Sequence, residues 1–270
     1  MNKFHTLTLT AAAAVVFAPV TGHAESLKAE VARLRAENAA LKKEVSKLKP
    51  EPVKGKWVRQ LSAGLLLTSG NNENLNVTGG LSIERQTDED KFRSFLTAAY
   101  GKSAGRTNAQ LFRAGAQYNR DLANDYYWYV GTLMEHDKVG GVDFRLGVGP
   151  GLGRHIIKND KVELNFEGGP TYFYEQFTGS GSGDSSFRLR AAENFSYTFA
   201  PGAKFYQRFE IMADVSDFGN FIMNNEAGVE STLTERLKLR LNFLDRYVNQ
   251  PPGRLQQNDI QITSSLVLGF

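Results

Sequence analysis

From Trp57 to the C-terminus, apolar side chains recur at every second position. Leu61, Ala63, Leu65 and Leu67 open the pattern, followed by Leu75, Val77, Gly79, Leu81 and Ile83, then by Phe92, Leu96, Ala98 and Tyr100. Phe187, Leu189, Phe195, Tyr197 and Phe199 repeat it, as do Leu237, Leu239, Leu241 and Phe243. The residues between them are polar, charged or Gly, for example Arg188, Arg190, Asn194 and Ser196. A period of two held over ten or so residues marks a strand with one apolar and one wet face. The pattern predicts twelve strands: 57–68, 74–86, 91–102, 107–120, 126–136, 141–155, 161–176, 186–199, 204–217, 221–233, 236–248 and 258–270.

The connections alternate in kind. One set is tight, at Thr87, Leu122, Lys158, Pro201–Gly202 and Thr234, and Pro-Gly suits the centre of a type II turn. The other set holds the two longest loops, from Thr178 and from Asn249. Short turns at one rim and long loops at the other are the habit of outer-membrane barrels. A soluble sandwich also alternates, but with shorter strands and an inward apolar face. The expected fold class is therefore all-β: an antiparallel transmembrane β-barrel of about 12 strands, occupying 57–270. Two places resist. Glu193 falls on the lipid-facing parity, implying a bulge, a shifted register or a charge near a rim. The Gly147–Gly153 stretch is weak as a strand because glycine offers nothing to pack.

Before the barrel the period changes. Leu27, Val31, Leu34, Asn38, Leu41, Val45 and Leu48 form an unbroken heptad seam across residues 25–49. The g positions are Glu30, Glu37 and Glu44, and the e positions Lys28, Arg35, Lys42 and Lys49 are all basic. In a parallel coil each g faces the partner's next e, so the pattern predicts a short parallel α-helical coiled coil and a homo-oligomer, dimer or trimer. Val at a, Leu at d and Asn38 at an a position lean towards two strands. At 1.5 Å per residue the rod is roughly 36 Å long. Pro50, Pro52 and Gly55 make 50–56 a linker.

Residues 1–24 read as a secretory signal: Lys3, an apolar run from Leu7 to Val20, then Gly22 and Ala24. Cleavage after Ala24 implies export. The chain has no cysteine, which excludes disulfides and a cysteine-borne lipid anchor, and no later run of 18 apolar residues suggests a helical span. The formal charge of +3 becomes +2 without Lys3, too small and scattered for a nucleic-acid partner. The expected partners are outer-membrane lipid and further copies of the chain.

The sequence finishes on Leu266, Leu268 and Phe270 at alternate positions. This resembles the C-terminal recognition strand of bacterial outer-membrane proteins, which implies reading by the barrel assembly machinery. Ser264 departs from the pattern, and Ile262 and Ile260 restore it. The stretch from Ser62 to Gly101, with Ser69, Gly70 and Asn71 closing the first strand, resembles an uncharacterised bacterial family described as salt-induced outer-membrane proteins. That resemblance covers roughly Trp57 to Phe270. It implies a barrel of undefined activity and carries no catalytic residues; the coiled coil is an addition to it.

Catalytic chemistry is not expected. His136 and His155, the histidines outside the signal, fall near opposite rims, too far apart for one metal or catalytic site. No metal-ligand spacing appears, and no cofactor is implied. The inward positions are richer: Arg113, Arg145, Glu163, Glu167, Arg188, Arg190, Arg208, Glu230, Lys238 and Arg240 are the lumen-lining candidates, and Glu230 is expected opposite Lys238 or Arg240. Both signs interleave, so little ion preference follows. The lumen is then either a narrow water channel or a plug of salt bridges. Inward glycines (Gly147, Gly149, Gly151) favour the first and a paired charged wall the second. The reading is a weakly selective passive pore for small solutes in the bacterial outer membrane, oligomerised by a periplasmic coiled coil. Its alternative is a plugged barrel that anchors a rod for a periplasmic or cell-wall partner.

Overall fold

The computed structural model describes residues 30, 32–37, 55–68, 74–103, 105–253 and 255–270. The chain divides into two units, Met1–Lys49 and Pro50–Phe270. In the first, residues 30 and 32–37 are helical and exposed, Leu34 among them. The remaining seam residues Leu27, Val31, Asn38, Leu41, Val45 and Leu48 lie outside the described residues, as do the signal segment and Ser69–Asn71.

The second unit is a closed antiparallel barrel of twelve strands, each paired with its neighbours in sequence. They are β1 Trp57–Thr68, β2 Asn74–Gln86, β3 Asp90–Ser103, β4 Arg106–Asp121, β5 Tyr126–Asp137, β6 Val142–Lys158, β7 Val162–Phe177, β8 Asp184–Ala200, β9 Ala203–Asp214, β10 Phe221–Thr232, β11 Leu237–Val248 and β12 Asn258–Gly269. β1 closes the ring on β12 through Gln60↔Gly269, Leu61↔Leu268, Ser62↔Val267 and Ala63↔Leu266. The Phe270 N–H donates to the Arg59 carbonyl at 3.1 Å, so the last residue is tied into the wall. Closure leaves no row of unpaired backbone groups, the condition for a sheet in a medium without water.

The connections at Thr87, Leu122, Lys158, Pro201–Gly202 and Thr234 share one rim, called here the turn rim; β3 and β4, which end at Ser103 and begin at Arg106, join tightly at the other. At β4–β5, Asn124 and Asp125 have φ of 61° and 63°, the left-handed pair a type I′ hairpin requires. Gly202 takes φ 76° in the Pro-Gly turn. Side chains close three others: Thr87 Oγ1 accepts from the Asp90 N–H at 3.0 Å, Asn159 Oδ1 from Val162 at 2.9 Å and Thr234 Oγ1 from Leu237 at 3.1 Å. The longer loops 178–183, 215–220 and 249–257 lie at the opposite, loop rim.

The wall is the reverse of a soluble barrel. Outward Leu65, Phe187 and Ile262 are 64%, 61% and 70% exposed, whereas inward Glu135, Arg188 and Arg145 are only 2%, 3% and 4% exposed. Two belts of outward aromatics bound this apolar surface. Trp57–Phe92, Tyr118–Trp128 and Tyr197–Phe199 pair near the turn rim; Phe144–Tyr174, Tyr172–Phe187 and Phe221–Tyr247 pair near the loop rim. Rings at both edges of an apolar band match a bilayer's two interfaces.

Both troublesome stretches resolve. Gly147–Gly153 lies inside the single strand β6. Glu193 is neither bulged nor near a rim: it sits in the middle of β8, registered between Phe166 and Phe209, and truly faces outward. The nearest irregularity lies beyond it, at Thr198/Ala200.

Candidate functional site

The lumen is divided by a strut. Arg246 on β11 donates from Nη2 to Glu135 Oε1 on β5 at 2.7 Å, and from Nη1 to Asp137 Oδ2 at 3.1 Å. β5 and β11 are six strands apart on the ring of twelve, so this contact crosses the lumen. Above it, the β11–β12 loop takes the same route. A Cβ placed on Gly141, in the β5–β6 loop, would meet Leu255 at 2.9 Å and Pro252 at 3.4 Å.

One arc of the divided lumen, β5 to β10 with Arg113 of β4, is largely filled. Glu135 also receives Arg145 Nη1 at 2.6 Å and pairs with Arg113 at 2.8 Å. Arg145 Nε reaches Glu175 at 2.7 Å, and Glu175 accepts from Arg188 as well. Alternating charge thus runs unbroken over β4, β5, β6, β7 and β8. A second layer centres on Glu167, which accepts from Gln117 at 2.9 Å, Tyr127 at 3.0 Å and Arg190 at 2.9 Å. Arg190 continues to Glu210 at 2.6 Å. Towards the loop rim, Phe173, Met212 and Ile222 pack with Val248 in an apolar cluster, and the Arg188 guanidinium lies 4.7 Å from the Phe173 ring. Each buried carboxylate is held by two or more donors, the condition for keeping a charge out of water.

Not every inward glycine widens the bore. Five of them stand directly opposite an inward ring on the next strand: Gly115 with Phe95, Gly147 with Phe173, Gly151 with Tyr129, Gly153 with Tyr127, and Gly228 with Tyr206. A Cβ at any of these glycines would collide with its ring. The glycines make room for aromatic side chains to lie across the wall, the same complementarity used to anchor strand register. Of the glycines expected to open a channel, Gly151 gives its space to Tyr129, whereas Gly149 and Gly147, the latter beside Phe173, line the cavity.

The other arc, β12 through β4, carries small residues. Ser62, Thr78, Gly80, Thr97, Thr263 and Ser265 line a cavity of about 450 Å³. Charged groups enter it from the edges, among them Arg93, Arg208 and Glu226. Near the turn rim Arg240 donates to Glu230 at 2.8 Å, the two being cross-strand partners, and to Gln60 at 3.4 Å.

Arg113, Arg145, Glu167, Arg188 and Arg190 thus meet in the paired network, with Arg113 and Arg190 also facing the cavity that Arg208 and Arg240 edge, and Glu230 is held by Arg240 near the turn rim. Lys238 faces inward opposite Thr232 and Val267 near the turn rim. Glu163 has inward parity but is exposed at the start of β7, away from both layers. Leu266, Leu268 and Phe270 face outward on the closing strand, exposed. The sequence reasoning passed over Glu135, Arg246, Tyr127 and Tyr129. For Arg246 a signal existed, since it continues the parity of Lys238 and Arg240. For the tyrosines the signal was the glycine opposite, which only register reveals. His136 and His155 lie towards opposite rims; His155 stacks 4.7 Å from Tyr127, and a His136 ring nitrogen is 2.7 Å from the Asp143 carbonyl.

The fold and lumen define a class: a closed β-barrel with an apolar exterior and a polar, partly occupied bore. The chain belongs to the DUF481 family, proteins of unknown function, whose pattern matches residues 61–270 and so leaves the heptad segment outside. Uncharacterized protein YdiY of Escherichia coli (strain K12) is 22% identical over 223 residues, covering 82% of this chain and 85% of that protein. Among solved structures, an outer membrane channel from Pseudomonas putida F1 is 11% identical and covers 80% of this chain and 96% of its own, with a TM-score of 0.48. The translocator domain of autotransporter NalP from Neisseria meningitidis is 12% identical, covering 90% and 97%, with a TM-score of 0.45.

Proposed function

We propose that the protein is an outer-membrane barrel acting as a passive, weakly selective pore for small solutes, with its copies joined through a periplasmic coiled coil over residues 25–49. The observation that carries the reading is the half-open bore. Ser62, Gly80, Thr97 and Ser265 keep the β12–β4 arc narrow in side chains, and the cavity of about 450 Å³ runs between them and the facing wall, where Gly131, Gly149 and Thr171 line it. Both signs of charge border it, which supports weak discrimination between ions. The aromatic belts support placement in a membrane, with the loop rim outside and the N-terminal rod in the periplasm. The closing strand with Leu266, Leu268 and Phe270 is the segment offered to the barrel assembly machinery. No catalytic residue or cofactor enters this function.

A second reading has its own observation. The Arg246–Glu135 strut and the β11–β12 loop cross the loop-rim mouth, as in a plugged barrel that serves as an anchor for the rod. Liposome swelling with sugars of graded size separates the two. A pore admits the smallest sugars and loses the larger ones; an anchor gives no swelling at any size while the protein remains inserted and heat-modifiable.

A further inference from the structure

The lipid-facing wall is uneven. On β1–β7, between the aromatic belts, outward positions hold apolar residues, Gly, Ser or Thr, as at Leu61, Leu81, Leu96, Ala114, Val130 and Val148, except for Arg59 next to Trp57 at the turn rim. On β8–β11 four polar side chains interrupt the band: Glu193, Gln207, Asn225 and Asp245. Three of them are contiguous: Gln207 donates to Asn225 Oδ1 at 3.2 Å, and Asn225 is the cross-strand partner of Asp245. Glu193 stands one strand further on, opposite Phe209, which lies between it and Asn225. Neither Glu193 nor Asp245 forms an ion pair among the described residues.

Hydrocarbon offers such groups nothing, and acidic or amide side chains on the lipid face of a barrel are costly away from the interfaces. A protein surface answers that cost with hydrogen bonds. We infer that this stripe is an intramembrane interface, and that its occupant is a second copy of the same chain. The inference rests on the oligomeric reading above. Two features favour self-association. The centre of the stripe is an amide pair, Gln207–Asn225, and each amide carries both donors and an acceptor, so a two-fold axis along the membrane normal sets the pair against its own copy with complementary groups. The heptad seam, with Glu at every g and a basic residue at every e, is also complementary to itself.

The chain has no cysteine, so single-cysteine variants report position cleanly. Asn225→Cys and, on the opposite wall, Ala114→Cys are oxidised or treated with a short bismaleimide in native outer membranes. Gln207→Leu/Asn225→Leu, which places leucines where lipid accepts them, is run in mild detergent beside the parent and beside protein lacking residues 25–49. The expected result is a cross-linked dimer from Asn225→Cys and not from Ala114→Cys, with the dimer fraction falling at least several-fold in the double leucine variant while heat-modifiable folding is retained. A product joining Asn225→Cys to a different protein overturns the inference, as does cross-linking at Ala114 alone. Dimers that vanish on deleting 25–49 but ignore the leucines also overturn it, leaving the coil as the sole junction. Monomers under every condition defeat the oligomeric reading itself.

Discussion

Arg246 and Glu135 stand six strands apart on the ring and meet at 2.7 Å. Glu135 is the hub: Arg145 donates to it at 2.6 Å and Arg113 pairs at 2.8 Å. A carboxylate 2% exposed among three guanidiniums is stable only as a set. Removing one partner of a buried pair typically costs about 3–5 kcal/mol, because the survivors keep their charge without its complement. Glu135→Gln is expected to destabilise the barrel by that order, read by urea unfolding in vesicles. Arg246→Gln leaves Arg113 and Arg145 on the hub and is expected to cost less while enlarging the conducting path.

The glycine–aromatic pairs make a sharper structural prediction. A methyl group at Gly151 meets Tyr129, and overpacking of this kind costs about 1–3 kcal/mol. Gly79, which has open space outside the barrel, is its control. Gly151→Ala should lower the unfolding midpoint in urea and Gly79→Ala should leave it within experimental scatter. Equal tolerance at both sites would mean the ring is not held as described.

Conduction along the β12–β4 arc predicts where a blockade works. Thr97→Trp with Ser265→Trp fills the cavity from two walls and is expected to reduce single-channel conductance at least several-fold. A tryptophan at Glu175, which is 7% exposed and held by Arg145 and Arg188, should disturb folding rather than trim conductance. Circular dichroism and gel mobility tell these outcomes apart.

In the proposed coiled coil Asn38 takes an a position, where an amide fixes register at a cost in stability. Asn38→Leu is expected to raise the melting temperature of a 25–49 peptide and to broaden its oligomer distribution in sedimentation. Deleting 25–49 should leave the barrel's heat-modifiability unchanged, since the family match and the closed ring both lie downstream.

Much of the barrel was legible because a bilayer wall is an alternation written in sequence. Leu237, Leu239, Leu241 and Phe243 face outward with Lys238, Arg240 and Asn242 between them, and Glu230 falls opposite Arg240. Boundaries drifted by a few residues where hairpins extend past the apolar run, as at β8, which begins at Asp184. The occupancy of the bore was not legible. Parity says which side Arg246 and Tyr127 face, but not that one crosses the ring and the other folds over Gly153. Those outcomes depend on register between strands and on barrel diameter, neither of which periodicity carries. Glu193 faces outward as its parity implies, and an outward charge is informative because lipid does not tolerate it idly.

The central claim is that the unfilled arc conducts. Single-channel recording of protein lacking residues 1–24, in planar bilayers at symmetrical salt, tests it most directly. The account predicts small ohmic steps of one unit size, weakly dependent on the sign of the ion and reduced by the Thr97→Trp/Ser265→Trp pair. A silent bilayer, with the protein shown to be inserted and heat-modifiable, would contradict it and leave the Arg246–Glu135 strut as the closure of a plugged barrel.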